Sequence, residues 1–139
     1  MIKIAKHFHF DSAHRLDSLP EHHKCHRLHG HTYEVEIRLH GVPDERGFVV
    51  DYQDITDAWA PIHNALDHRY LNEVPGLAVP STEVLVIWIF DRLTESPISA
   101  LISSVRVSES STTFAELSAR DYKAYRSSPA VRKLLDAKR

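Results

Sequence analysis

Apolar and polar residues alternate from the start of the chain. Even positions read Ile2, Ile4, Lys6, Phe8, Phe10, Ser12 and His14, and odd positions Lys3, Ala5, His7, His9 and Asp11. A period of two marks a strand with one buried face, and Lys6 is its single break. In that register His14 closes the core-facing row behind Phe8 and Phe10, while His7 and His9 face solvent or a neighbouring subunit. Residues 17–24 are polar and include Pro20, so they read as a loop. The cleanest alternation follows, with His29, His31, Tyr33, Val35, Ile37 and Leu39 on one face and Gly30, Thr32, Glu34, Glu36, Arg38 and His40 on the other. Its core face is apolar except at the beginning, where His29 and His31 project side by side, about 7 Å apart along the strand.

The period then changes. Gly41, Pro43, Asp44 and Gly47 end the second strand in a turn. Asp51 is placed to cap a helix whose buried stripe is Ile55, Ala58, Trp59, Ile62 and Leu66, with a kink or early break expected at Pro61. The helix is expected to end near Leu66, leaving Asp67 and His68 at its edge. Pro80, Ser81, Thr82 and Glu83 carry the caps and charge of a second helix start. The apolar run over residues 84–90 suits a buried strand equally well by periodicity, but those caps and the polar Asp91 and Arg92 favour a helix. Val105, Val107 and Glu109 alternate as a third strand with Glu109 on the core side, and residues 112–117 return as a fourth. From Asp121 onward, with Pro129 near a helix start and Val131, Leu134 and Leu135 on one side, the chain reads as a short exposed helix.

Composition narrows the function classes. At 139 residues with 42% hydrophobic and 26% charged residues, the chain suits one soluble domain. A net charge of -2 with no basic block argues against nucleic acid as a partner. The first residues break their apolar character too often for a signal peptide, and the longest apolar run is too short to span a bilayer. The single cysteine cannot form an internal disulfide, which points to a reducing compartment, the cytosol, and to thiol chemistry. Histidine is the outlier: eight of the eleven lie in the first 31 residues.

Three strands thus carry polar residues at one end of an apolar row: His14, then His29 and His31, then Glu109. Three neutral imidazoles with a fourth position open are the ligand set of a catalytic zinc ion, although His14 alone also suits a local hydrogen bond. Cys25 lies among Glu21, His22, His23, Lys24, His26 and Arg27, a polar and largely electropositive setting that favours thiolate. A thiolate base needs a proton partner and an orienting carboxylate, which His68 and Asp67 supply if the fold brings them near. Neighbours in sequence seldom hydrogen-bond each other well, and Asp67 also reads as a solvated helix-end residue.

Phe10-x-Ser12-Ala13-His14, Cys25-x-x-x-His29-Gly30-His31, Gly47-Phe48-Val49-Val50-Asp51-Tyr52, Leu66-Asp67-His68-x-x-Leu71-Asn72, Pro80-x-Thr82-Glu83 and Glu109 together resemble the 6-pyruvoyl-tetrahydropterin synthase family over roughly residues 3–115. The three-residue gap between Cys25 and His29 is most similar to its 6-carboxy-tetrahydropterin synthase branch, in queuosine biosynthesis. The resemblance implies an α+β tunnelling fold: a four-stranded antiparallel sheet with two helices on one face, assembled into trimers or hexamers with active sites between subunits. It implies a domain over residues 1–118 with a C-terminal helical extension over 119–139. It also implies 7,8-dihydroneopterin triphosphate as substrate, His14, His29 and His31 as zinc ligands, Cys25 as base with Asp67 and His68 as partners, and Glu109, Ser81 and Thr82 as pterin contacts. Lys24 and Arg27 are candidates to meet the triphosphate. His26 stands where a small residue is common, and Ser110 where threonine is usual. The competing expectations are the same fold stopping at 6-pyruvoyl-tetrahydropterin, a non-catalytic zinc-binding assembly module, and a zinc hydrolase, the last lacking a carboxylate beside the His-x-His pair.

Overall fold

The structure, a computed structural model, describes residues 1–136. Both long alternations are strands: β1 (Ile2–His14) and β2 (His29–Gly41) pair antiparallel from Ile2 opposite Gly41 to His14 opposite His29. β3 (Ile102–Ser108) and β4 (Phe114–Ser118) complete a four-stranded sheet in the order β1-β2-β3-β4. The core parity is the one the sequence predicts, with Phe10, Tyr33, Val35, Ile37, Leu39, Val105 and Val107 all buried. Against them pack α1 (Tyr52–Leu66) and α2 (Thr82–Leu93), through Ile55, Trp59, Ile62 and Leu66 of the first and Leu85, Ile89 and Leu93 of the second. No helix among the described residues is long and apolar enough to cross a membrane.

Lys6 breaks the alternation because it has a polar target under the core face. Its ammonium donates to the Thr56 hydroxyl and, at 3.3 Å, to the Tyr52 carbonyl, both on the first turns of α1. The early break expected as one outcome at Pro61 does not occur, since α1 runs without interruption from Tyr52 to Leu66. Pro61 lies on the exposed face, where the hydrogen bond it forfeits can be replaced by water, and the buried stripe holds the helix together. β3 is shifted relative to expectation, starting at Ile102 beyond a register irregularity opposite Arg38 and Leu39 and ending at Ser108, so Glu109 lies just past it. β4 begins at Phe114, two residues later than expected.

The C-terminal stretch also departs from expectation. In place of one short exposed helix there are two, α3 (Ala119–Arg126) and α4 (Pro129–Asp136), and each buries a side chain, Tyr122 and Val131. The last three residues of the expected extension lie outside the described residues. The physical reason is α2, which is apolar almost all round: Val84, Leu85, Val86, Trp88, Ile89, Phe90 and Leu93 are buried. The sheet can cover only one side of such a helix. Tyr122 covers another, stacking on Phe90 at 4.5 Å between ring centroids and donating its hydroxyl to Asp91 at 2.5 Å.

Candidate metal centre

The final rung of the β1–β2 ladder sets His14 opposite His29, and the rung before last but one sets Ser12 opposite His31. Strand parity then turns all three imidazoles to the same side, with ring centroids 4.5 to 5.1 Å apart. Their potential ligand atoms lie within 4.8 Å of one another. Two rings have their protonation pattern fixed by backbone acceptors. His14 Nδ1 faces the Pro80 carbonyl at 2.9 Å, and His29 Nδ1 faces the Arg27 carbonyl at 2.7 Å. A carbonyl only accepts, so each Nδ1 carries the proton and each Nε2 presents a lone pair. Those two Nε2 atoms are 2.9 Å apart. Two lone pairs at that distance repel unless a proton or a cation sits between them. A backbone carbonyl on the far nitrogen is also the usual support of a metal-bound histidine.

The dimensions suit a small divalent ion. Tetrahedral ligands about 2.1 Å from a metal lie about 3.4 Å from one another, a spacing bracketed by the 2.9 Å pair and the 4.8 Å limit of the set. Burial of His14, at 1% exposed, lowers its pKa, opposed by the Pro80 hydrogen bond and assisted by the other two histidines. His31 is lowered by burial too, opposed by Glu109. Neutral imidazoles are the form that binds metal. Glu109 completes the rim, with Oε2 3.9 Å from His31 Nε2. Beneath the cluster Tyr33 is fully buried, its hydroxyl 3.3 Å from His14 Nδ1, and burial followed by the Glu109 charge raises its pKa far above the usual phenol value.

Asp67 and His68 do bond to each other, against the sequence expectation for neighbours: His68 Nδ1 lies 2.8 Å from Asp67 Oδ2. The geometry is made possible by His68, whose backbone is left-handed at φ 55. The other Asp67 oxygen accepts the Asp11 amide at 3.0 Å, and His68 N–H donates to the Asp11 carbonyl at 2.6 Å. This exchange zips the end of α1 to β1. The Asp11 amide and then the His68 ring hold Asp67 below the usual carboxylate range, and Asp67 raises His68. A shallow groove beside the pair runs past Ala13, Gly30, His31 and Thr32. A cavity of about 680 Å³, lined by Ala58, Ile62, Ile98 and Leu101 among others, shares no residue with the histidine cluster.

Cys25 sits in a 3-10 turn (Lys24–His26), half-buried, its amide donating to His23 Nδ1 at 3.1 Å. Among the described residues no hydrogen bond joins it to Asp67 or His68. Lys24 and Arg27 are exposed beside it. Ser81 caps α2 by accepting from Val84 N at 3.2 Å, and Thr82 is buried next to it. Both therefore follow directly on Pro80, whose carbonyl holds His14.

A family model described as 6-pyruvoyl tetrahydropterin synthase matches residues 3–120. The chain belongs to that family. Among relatives of the 6-pyruvoyl tetrahydropterin synthase family, the 6-carboxy-5,6,7,8-tetrahydropterin synthase of a Synechocystis species is 39% identical over 119 residues, covering 81% of this chain and 89% of that protein. The enzyme of the same name from Haemophilus influenzae is 30% identical over 141 residues, covering 84% and 98%. The solved structure of Caenorhabditis elegans 6-pyruvoyl tetrahydropterin synthase superposes with a TM-score of 0.77 at 22% identity, over 84% of this chain and 94% of that one. At that identity it supports the fold, the tunnelling fold of the 6-pyruvoyl tetrahydropterin synthases.

Sequence reasoning missed the supports of this site. The Pro80 and Arg27 carbonyls have no side-chain signal. Asp11, whose amide donates to the Asp67 carboxylate, whose carbonyl accepts from the His68 amide and whose side chain accepts from the Thr32 hydroxyl at 2.5 Å, read only as an outward strand position. A signal existed in its neighbours, since an aspartate facing Thr32 across two predicted strands is a cross-strand pair.

Proposed function

We propose that the chain is a zinc-dependent lyase that converts 7,8-dihydroneopterin triphosphate to 6-carboxy-5,6,7,8-tetrahydropterin, releasing acetaldehyde and triphosphate, as a cytoplasmic step of queuosine biosynthesis. The observation that carries the reading is the pair of Nε2 atoms of His14 and His29 facing each other at 2.9 Å with both Nδ1 atoms held by carbonyls, and His31 beside them. Relatives at 30% identity or more over most of the chain carry the 6-carboxy name, which favours that product over the 6-pyruvoyl one.

The roles follow from the chemistry of each side chain. Bound at His14, His29 and His31, zinc supplies Lewis acidity toward the substrate's side-chain hydroxyls. The Glu109 carboxylate accepts from the amino group and ring N–H of the pterin, a bidentate grip that sets which carbon faces the site. Ser81 and Thr82 contact the same ring. Cys25, as thiolate, takes the carbon-bound proton. His68, held by Asp67, whose hydrogen bond and charge raise its pKa and so favour the protonated ring, returns a proton. Lys24 and Arg27 meet the triphosphate. Self-association into trimers or hexamers places the site between subunits and brings the Cys25 turn of one chain toward the Asp67–His68 pair of another.

Metal analysis combined with a turnover assay tests the division of labour. Cys25→Ala is expected to keep its zinc and its fold while triphosphate release from the substrate stops. A Cys25→Ala protein that turns over at the wild-type rate sinks the role of the thiol, and a wild type that neither binds zinc nor releases triphosphate sinks the enzyme reading.

A further inference from the structure

Asn72 is as buried as His14, at 1% exposed, and none of the roles above uses it. Its carboxamide grips a single residue twice: Oδ1 accepts from Arg15 N–H at 3.0 Å and Nδ2 donates to the Arg15 carbonyl at 2.8 Å. Paired bonds to one residue's N–H and C=O reproduce what an adjacent strand supplies. They occur where the strand supply ends, because His14 opposite His29 is the last rung of the β1–β2 ladder. The segment carrying Asn72 is itself fastened to β1 just before this point, through Ala13 N–H on the Arg69 carbonyl at 3.0 Å and the bridge between Ala13 and Tyr70.

Arg15 is also the junction to the thiol. Its guanidinium reaches His26 Nε2 at 3.2 Å, and the next residue, Leu16, donates its amide to the Cys25 carbonyl at 2.9 Å. We infer that Asn72 is a positioning residue: by clamping Arg15 it extends the sheet register one residue past His14 and fixes the metal ligand and the Cys25 turn relative to each other. The inference rests on the three-histidine metal reading. Without the carboxamide, the Arg15 N–H and C=O lose their partners, and the backbone on the far side of His14 from the Pro80 contact is free to shift.

The test uses the full chain and zinc itself as the probe. Asn72→Leu keeps the branching and volume but removes both hydrogen bonds, and Asn72→Ser is a smaller second variant. Leu93→Ala, in the core at the far end of α2, is the stability control. Chelator competition is expected to show zinc affinity about 10- to 100-fold weaker in either Asn72 variant and unchanged in Leu93→Ala, although the control melts earlier. In the wild type, the Arg15 amide is expected to exchange with solvent slowly. Wild-type zinc affinity in a folded Asn72 variant, an equal loss in Leu93→Ala, or Arg15 exchange at exposed-loop rates each overturns the inference. A wild type that binds no zinc overturns the metal reading and this inference with it, an outcome distinct from one in which wild type and variants bind alike.

Discussion

At the scale of single residues, the centre is defined by where protons cannot be. With Nδ1 of His14 and His29 donating to carbonyls, the facing Nε2 atoms have no proton of their own to share, and a cation resolves their repulsion. His31→Ala is accordingly expected to lose bound zinc, checked by elemental analysis of the purified protein. Asp67 and His68 give two opposite pH dependences. Asp67 is depressed, first by the Asp11 amide and then by His68, so its contribution to stability is complete above its ordinary pKa of 3.8 and disappears as pH falls through the lowered value. His68 is raised by Asp67, so its contribution is complete below 6.5 and disappears as pH rises through the raised value. The pair is therefore fully charged between those limits, and Asp67→Asn is expected to bring the His68 titration, followed by its ring proton resonances, back down toward the ordinary value. The left-handed backbone of His68 is a cost kept for the imidazole. His68→Gly is expected to be about 1 kcal/mol more stable than His68→Ala in denaturant titrations, because only glycine adopts that conformation without strain.

At the scale of elements, local rules and tertiary packing compete, and each outcome has a reason. Strand alternation was legible because β1 and β2 each bury one face, so the period-two pattern transmits directly into register. Pro61 was misleading because a local helix breaker on an exposed face is overruled by a buried stripe. Pro61→Ala is expected to raise stability by about 1–3 kcal/mol, measured by chemical denaturation. The C-terminal helices were misjudged because their burial depends on α2, whose uniform apolarity signals a second cover without saying which segment provides it. If α3 is that cover, Tyr122→Ala costs about 3 kcal/mol through the lost stacking on Phe90. A change within a few tenths of a kcal/mol would instead make α3 an appendage.

At the scale of the whole molecule, the sheet is the device that converts sequence parity into a site. Alternation placed His29 and His31 side by side and set His14 and Glu109 at the ends of other core-facing rows, but His14 as the third ligand came from the family resemblance, because spacing alone does not say which strands end side by side. The Asp67–His68 bond could not, since it depends on a backbone conformation that nothing in the residue pair announces, and the carbonyls of Arg27 and Pro80 carry no side-chain signature. Cys25 was legible as a reactive thiol by its neighbours, but its partners are not bonded to it within the described chain. The family match over residues 3–120 covers the sheet, both large helices and the start of α3. The measurement that reaches the central claim most directly is product identification by mass spectrometry after incubating the zinc-loaded protein with 7,8-dihydroneopterin triphosphate. The account predicts 6-carboxy-5,6,7,8-tetrahydropterin together with acetaldehyde, whereas 6-pyruvoyl-tetrahydropterin with no acetaldehyde would contradict it.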